Sequence, residues 1–116
     1  MITFRNVEEK DENFIEEVYA ATRENELNLT NWTKDKKKRF IVMQLMAQLT
    51  HYKNLYKGAT YQVILYKKQK AGRLYLWENE KEIRVVDISL LPEFQAKGIG
   101  TKIINDIIKK SEEKNK

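Results

Sequence analysis

Two glycines one residue apart, Gly98 and Gly100, lie where a strand-like run gives way to a strongly apolar helix. The strand-like run ends at Leu91, and the isoleucines that follow the glycines have helical spacing. The first N–H groups of a helix have no partner within it, and the helix dipole favours negative charge there. Glycine lacks the Cβ that would keep a bulky phosphate from the backbone. The pattern therefore predicts a cradle for a phosphate-bearing ligand.

Two common phosphate-binding motifs do not fit this segment. A dinucleotide fingerprint would need a third glycine at position 103, where this chain has Ile103, and an acidic residue about twenty positions further on. A nucleotide P-loop ends in Gly-Lys-Ser/Thr, whereas the order here is Gly100-Thr101-Lys102. The segment therefore does not fit a dinucleotide site or a nucleotide P-loop, and its anionic ligand belongs to another class.

The segment Gln95-x-x-Gly98-x-Gly100, after a strand that ends Val-Asp-Ile-Ser-Leu-Leu-Pro, resembles the acyl-CoA-binding segment of the GNAT family of N-acetyltransferases. The family pattern is Arg/Gln-x-x-Gly-x-Gly/Ala. The resemblance implies transfer of an acetyl group from acetyl-CoA to an amine, which attacks the thioester directly and needs no metal. The acceptor that the resemblance implies is an amine of a small molecule or a peptide.

The resemblance also implies which residues contact acetyl-CoA. The backbone at the end of the strand would bond the pantetheine arm, and the amides of the cradle would hold the pyrophosphate, with two lysines adding charge. The cofactor-binding residues implied are Ile88, Ser89, Leu90, Leu91, Gln95, Ala96, Lys97, Gly98, Ile99, Gly100, Thr101 and Lys102.

Asp87 is the most suggestive carboxylate because it lies mid-strand between apolar neighbours, where an unpaired charge would be costly. Either it has a structural role, paired with Arg73 or Arg84 or bonded to backbone amides, or it is the general base that takes a proton from the acceptor amine. The single histidine, His51, lies late in a predicted helix, and a structural role fits it better than a direct one.

Length and composition restrict the class of protein. The 116 residues suffice for one domain, 1–116, with a hydrophobic core. Cysteine is absent, which excludes disulfides and thiolate metal sites, and no apolar run reaches the length of a membrane span. The N-terminus has no signal-peptide layout, so we expect a cytoplasmic protein.

The net charge of +5 favours anionic partners, of which coenzyme A and nucleic acid are two. The densest basic run, residues 34–39, has no interleaved aromatic residues. Single-stranded nucleic acid is usually bound by aromatic stacking beside basic residues. This argues against a nucleic-acid partner, and we interpret the basic run as the solvated first turn of a helix.

Periodicity predicts the element order β-α-α-β-β-β-α, an α/β fold with a mainly antiparallel sheet and helices packed on it. The strands are expected at Ile2–Val7, Thr60–Tyr66, Ala71–Trp77 and Ile83–Leu91, and the helices from Asp11, from Thr33 and over residues 99–108. The second helix is expected to turn Phe40, Met43, Met46, Ala47 and Thr50 towards the core. In a regular fourth strand, Val86, Ile88 and Leu90 would share one face.

This order matches the GNAT fold up to the helix that follows the acyl-CoA-binding strand, and it is short of the last strand-helix-strand. We therefore expect a longer protein, a homodimer in which a second subunit completes the edge of the sheet, or a reduced relative. In the last case the alternative function is a non-catalytic module that binds CoA or another protein.

Overall fold

Four strands and three helices occur in the order that the sequence predicts, which confirms the α/β fold class. The computed structural model describes residues 1–116. The elements are β1 (Ile2–Asn6), α1 (Glu12–Asn28), α2 (Lys34–Leu55), β2 (Thr60–Tyr66), β3 (Gln69–Glu78), β4 (Ile83–Leu90) and α3 (Ile99–Glu113). None of the helices has the length and apolar character needed to cross a lipid bilayer.

The strands form one antiparallel sheet in the order β1-β2-β3-β4, so the sequence neighbours are also spatial neighbours. β1 and β4 are the two edges. The tight turn between β2 and β3 places Lys67 and Lys68 at φ values of 50° and 68°, a geometry that suits a two-residue hairpin. Since β4 pairs only with β3, the backbone groups on its outer side have no strand partner.

The two faces of the sheet carry different helices. Pairing of Gln62 with Leu74 and of Leu74 with Ile88 defines one face, on which Ile103 of α3 packs in a shared apolar cluster. Val63 and Arg73 pair on the opposite face, where Gln48 of α2 contacts the Arg73 guanidinium. α3 is therefore held against one face, and α1 and α2 cover the other.

A bulge changes which residues of β4 share a face. Tyr75 pairs with Asp87, whereas the next residue, Leu76, pairs with Val85, so Val86 has no partner. The prediction that Val86 lies with Ile88 and Leu90 is wrong: Val85 takes that place and packs against the apolar cluster under α3. An extra residue in one strand reverses the alternation of side chains, and the sequence of β4 gives no local sign of it.

α2 begins as predicted, because the Thr33 hydroxyl accepts a hydrogen bond of 3.2 Å from the N–H of Lys36 and caps the helix. Its buried face is not the predicted one. Ile41 and Leu45 are 4% and 7% exposed, and Met43 and Met46 are 62% and 65% exposed. The helix carries two apolar stripes, and the stripe formed by Ile41 and Leu45 is the one that packs against α1.

Asp11 lies at the predicted start of α1, but its side chain does not cap that helix. The fully buried carboxylate accepts hydrogen bonds from Arg5 at 2.7 and 2.9 Å and from Lys70 Nζ at 2.9 Å. It also accepts one of 2.8 Å from the N–H of Glu8. The hydrogen bonds from Arg5 outweigh the cost of burial and hold the pKa of Asp11 well below its usual range. Asp11 therefore ties β1, β3 and α1 together.

Candidate functional site

The connection from β4 to α3 is anchored by buried apolar side chains on both sides of an exposed loop. Leu91, Phe94 and Ile99 are 6%, 9% and 2% exposed, and a short 3-10 turn begins at Pro92. Residues 95–98 between them are exposed. The loop is therefore accessible to solvent, while both of its ends are fixed in the core.

The backbone of this loop presents a continuous run of unbonded donors. The N–H of Gln95 donates to the carbonyl of Pro92 at 3.2 Å, and the N–H of Lys102 donates to the carbonyl of Gly98 at 3.0 Å. None of the six N–H groups of residues 96–101 between them donates to a backbone carbonyl. Three of them are the first amides of α3, where the helix dipole adds positive potential. The arrangement suits a multiply charged anion.

The two glycines of the pattern differ in what a side chain would meet at each position. Gly98 has φ of +78°, in the left-handed region, and a Cβ there would meet no atom within 4 Å. Glycine is therefore favoured at position 98 by the backbone conformation, and it leaves open space beside the loop. Gly100 has an ordinary φ, and a Cβ there would make a van der Waals contact of 3.9 Å with Leu90 Cδ1.

The Gln95 side chain fixes the loop to the strand. Its Nε2 donates a hydrogen bond of 2.9 Å to the carbonyl of Leu90 at the end of β4. The two lysines implied by the resemblance are both exposed: Lys97 forms no ion pair, and Lys102 Nζ lies 3.0 Å from Asp106 Oδ1 one turn along α3. Lys97 is thus the cation with the fewest competing contacts beside the unbonded amides.

The outer edge of β4 leads into this loop. The N–H of Leu91 donates to the carbonyl of Ala71 at 2.9 Å, so Leu91 bonds inward to β3. Since inward and outward residues alternate along an antiparallel strand, the N–H groups of Ile88 and Leu90 point to the open edge. The hydrogen bond from Gln95 to the outward carbonyl of Leu90 agrees with this alternation. Free backbone donors of β4 and those of the loop therefore form one continuous surface.

Asp87 lies on the face covered by α2 and is paired with Arg73. The Arg73 Nε and Nη2 atoms lie 3.2 and 2.9 Å from its two carboxylate oxygens. The Ser89 hydroxyl donates at 2.8 Å, and the Tyr52 hydroxyl lies 3.5 Å away. The arginine side chain is 1% exposed and the aspartate side chain 15%. The pairing with Arg73 that the sequence offers as one alternative is present, and Asp87 keeps a partly accessible side.

Sequence reasoning did not identify the α2 residues that complete this network. Gln48 Oε1 accepts from Arg73 Nη2 at 2.9 Å, and Tyr52 reaches Asp87 from one turn further along the helix. Burial, together with the negative charge of Asp87, raises the pKa of Tyr52, so its hydroxyl is protonated at neutral pH. The only feature of the sequence that points to Gln48 and Tyr52 is their spacing of four residues on the buried side of α2. His51 is exposed on another side of that helix.

A cleft of about 500 Å³ opens beside the start of the loop, between α1 and α2. Leu91, Pro92 and Glu93 form its wall on the loop side. α1 contributes three further glutamates and α2 contributes two lysines to the lining, namely Glu16, Glu17, Glu24, Lys37 and Lys38. No group of three potential metal ligands lies close enough together to hold a metal ion.

No protein-family model matches the sequence, and no curated protein matches it. Solved structures do match. The PaiA N-acetyltransferase of Thermoplasma acidophilum, solved with coenzyme A, is 16% identical with a TM-score of 0.60, and the alignment covers 99% of this chain and 74% of that one. A GNAT-family acetyltransferase of Staphylococcus aureus Mu50 is 15% identical with a TM-score of 0.57, covering 99% and 69%.

The ribosomal-protein-alanine N-acetyltransferase of Brucella melitensis biovar Abortus 2308 is 12% identical with a TM-score of 0.54, covering 99% of this chain and 74% of that one. Nearly the whole chain therefore superposes on each of these three acetyltransferases. The chain has the fold of the GNAT acetyltransferases, as the glycine pattern and the element order predict. At such identities the comparison bears on the fold alone.

Proposed function

We propose that this protein transfers an acetyl group from acetyl-CoA to an amine. The observation that carries the proposal is the run of six unbonded N–H groups at residues 96–101, at the start of a helix that Ile99 and Ile103 fix in the core. The run lies in a Gln-x-x-Gly-x-Gly pattern on a fold shared with a CoA-bound N-acetyltransferase. Amides fixed before the ligand arrives bind a pyrophosphate without further ordering cost.

In this proposal the ligand follows the continuous donor surface. The amides of residues 96–101 bind the pyrophosphate, and Lys97 adds a positive charge beside it. The pantetheine arm runs along the outer edge of β4, where the N–H groups of Ile88 and Leu90 are free. This places the thioester near the middle of β4, close to the bulge at Val86.

The chemistry then needs one acceptor of a proton and one donor to the developing oxyanion. The amine nitrogen attacks the thioester carbonyl carbon, the C–S bond breaks, and coenzyme A leaves as the thiolate, which takes a proton from solvent to become the thiol. Asp87 takes the proton that the amine loses, with Arg73 orienting its carboxylate. The N–H of Ile88 donates to the carbonyl oxygen as negative charge develops on it.

The reacting amine must lie beside Asp87, which is not among the residues that line the cleft between α1 and α2. We propose that this cleft binds a part of the acceptor remote from the reacting amine, and the glutamates that form most of its charged lining favour a positively charged group there. A small-molecule or peptide amine fits this chemistry. The expectation that a second subunit covers the edge of β4 stays a prediction, as does the cytoplasmic location.

A non-catalytic CoA-binding module is the second candidate, and one observation favours it. Four donor atoms, from Arg73, Ser89 and Tyr52, surround the Asp87 carboxylate, which leaves little room for a substrate proton. The experiment is thiol release from acetyl-CoA with a panel of amines, beside calorimetry with coenzyme A. Binding with amine-dependent thiol release supports the enzyme; binding without release with any amine supports the module; the absence of binding contradicts both.

A further inference from the structure

One side of α2 carries a seam of residues at alternating spacings of four and three. Such a spacing is typical of helices that pack along one another in coiled coils. The seam consists of Asp35, Arg39, Val42, Met46, Leu49 and Lys53. At its centre Met46 is 65% exposed, and Val42 and Leu49 are half-buried. This side of the helix thus has an apolar middle with charged ends, and no other element covers Met46.

The seam lies along two grooves that join at its centre. The first follows the amino-terminal half of α2, beside Lys38 and Arg39. The second, of about 470 Å³, lies between the other half of α2 and the start of α1. Val42 and Met46 line both grooves, so the two form one surface. This surface extends over six seam positions, a length along which a second helix could pack.

The two halves of this surface have opposite charge. Lys38 and Arg39 beside the first groove form no ion pair within the chain, whereas the second groove is walled by the glutamates at the start of α1. Three of these, Glu9, Glu12 and Glu16, form no ion pair either. One half therefore complements the other, but the two halves of one molecule cannot meet because they lie at different ends of the same helix.

We propose that two copies of this chain associate through the seam, with their α2 helices antiparallel about a two-fold axis between Val42 and Met46. Val42 then faces Met46 of the partner subunit, and Asp35 faces Lys53 of the partner subunit. Arg39 approaches the acidic groove of the other copy. Every contact occurs twice, as an isologous interface requires.

Charge and apolar area select a second copy over other occupants. A parallel arrangement would place the basic half against the basic half, which like charges oppose. A flat anionic membrane would meet the acidic wall of the second groove as well as the lysines. In an antiparallel second copy, the apolar centre faces the apolar centre, and each basic half faces an acidic half. The interface is separate from the edge of β4.

Sedimentation velocity over a concentration series is the first measurement. The wild type is expected to dimerise, and Met46→Glu is expected to weaken the dimer at least about 100-fold because it would bury two unpaired carboxylates. His51→Glu is the matched control, since it adds the same charge at an exposed position on the far side of the same helix. A monomeric wild type, or a dimer that Met46→Glu leaves intact, overturns the proposal.

Exchange of charges tests the antiparallel register. Asp35→Lys places a cation opposite Lys53 of the partner subunit, and Lys53→Asp places an anion opposite the partner's Asp35, so each variant alone is expected to weaken the dimer. The double variant is expected to restore it. Two single variants that leave the dimer unchanged, or a double variant that shows the sum of the losses, contradict the register and with it the proposed axis.

Discussion

Gly98 and Gly58 form a matched pair for testing the phosphate cradle. Their φ values are +78° and +84°, and a Cβ at either would meet no atom within 4 Å. Gly58 precedes β2, and the cradle follows β4, which runs in the same direction as β2, so the two glycines lie at opposite ends of the sheet. Alanine in the left-handed conformation costs about 1–2 kcal/mol at either site.

Both Gly98→Ala and Gly58→Ala are therefore expected to lower the unfolding temperature by a similar amount, about 4–16 °C, since each kcal/mol corresponds to about 4–8 °C in a domain of about 100 residues. Their effects on ligand binding differ. At position 98 the new Cβ occupies open space beside the unbonded amides, and relief of the backbone strain would turn those amides away from their common target. We expect the dissociation constant for coenzyme A to rise at least about tenfold, or about 1.4 kcal/mol.

Isothermal titration calorimetry with coenzyme A, at a temperature where both variants remain folded, makes the comparison. Gly58→Ala should bind as the wild type does, and Gly98→Ala should bind more weakly. Circular dichroism confirms that the two variants have lost equal stability. Equal affinity for all three proteins would refute the reasoning that Gly98 positions the phosphate-binding amides.

Three further outcomes follow from the structure. Gly72→Ala should prevent stable folding, because a Cβ there would overlap the carbonyl oxygen of Ser89 on β4; a soluble variant with wild-type thermal unfolding would contradict this. Asp11→Asn should lower the free energy of unfolding by about 3 kcal/mol at pH 7. Because folding lowers the pKa of Asp11, the extra stability of the wild type is complete above about pH 4 and declines as the pH falls further. Urea unfolding at a series of pH values measures this decline. If Asp87 is the base, Asp87→Asn should lower the turnover rate by about 10²–10⁴-fold. A variant that is less stable but has an unchanged rate per folded molecule would contradict the role as base and leave Asp87 only its pairing with Arg73.

The sequence predicts the fold well because its signals are local. The Thr33 cap, the run of β-branched and aromatic residues in β2 and the glycines before α3 each act on their own few residues, and each gives the predicted element. The glycine pattern coincides with the run of unbonded amides for the same reason, since amides 96–101 depend on Gly98 and on the start of α3; that these amides hold a phosphate stays a prediction.

The remaining features depend on contacts between distant parts of the chain. The bulge at Val86 appears only when β4 pairs with β3, and the Asp87 network requires Gln48 of α2, which lies 25 residues from Arg73. The buried face of α2 could not be chosen from the sequence because two apolar stripes satisfy the same period. Packing against α1 makes that choice.

The central claim is that the main-chain amides of residues 96–101 bind the pyrophosphate of acyl-CoA. Amide-resolved NMR of the wild-type protein titrated with coenzyme A tests it most directly. We expect the largest shifts at Gly98, Ile99, Gly100 and Thr101, smaller ones at Ile88 and Leu90, and none at Gly58. Saturation with coenzyme A that leaves these loop amides unmoved would contradict the account.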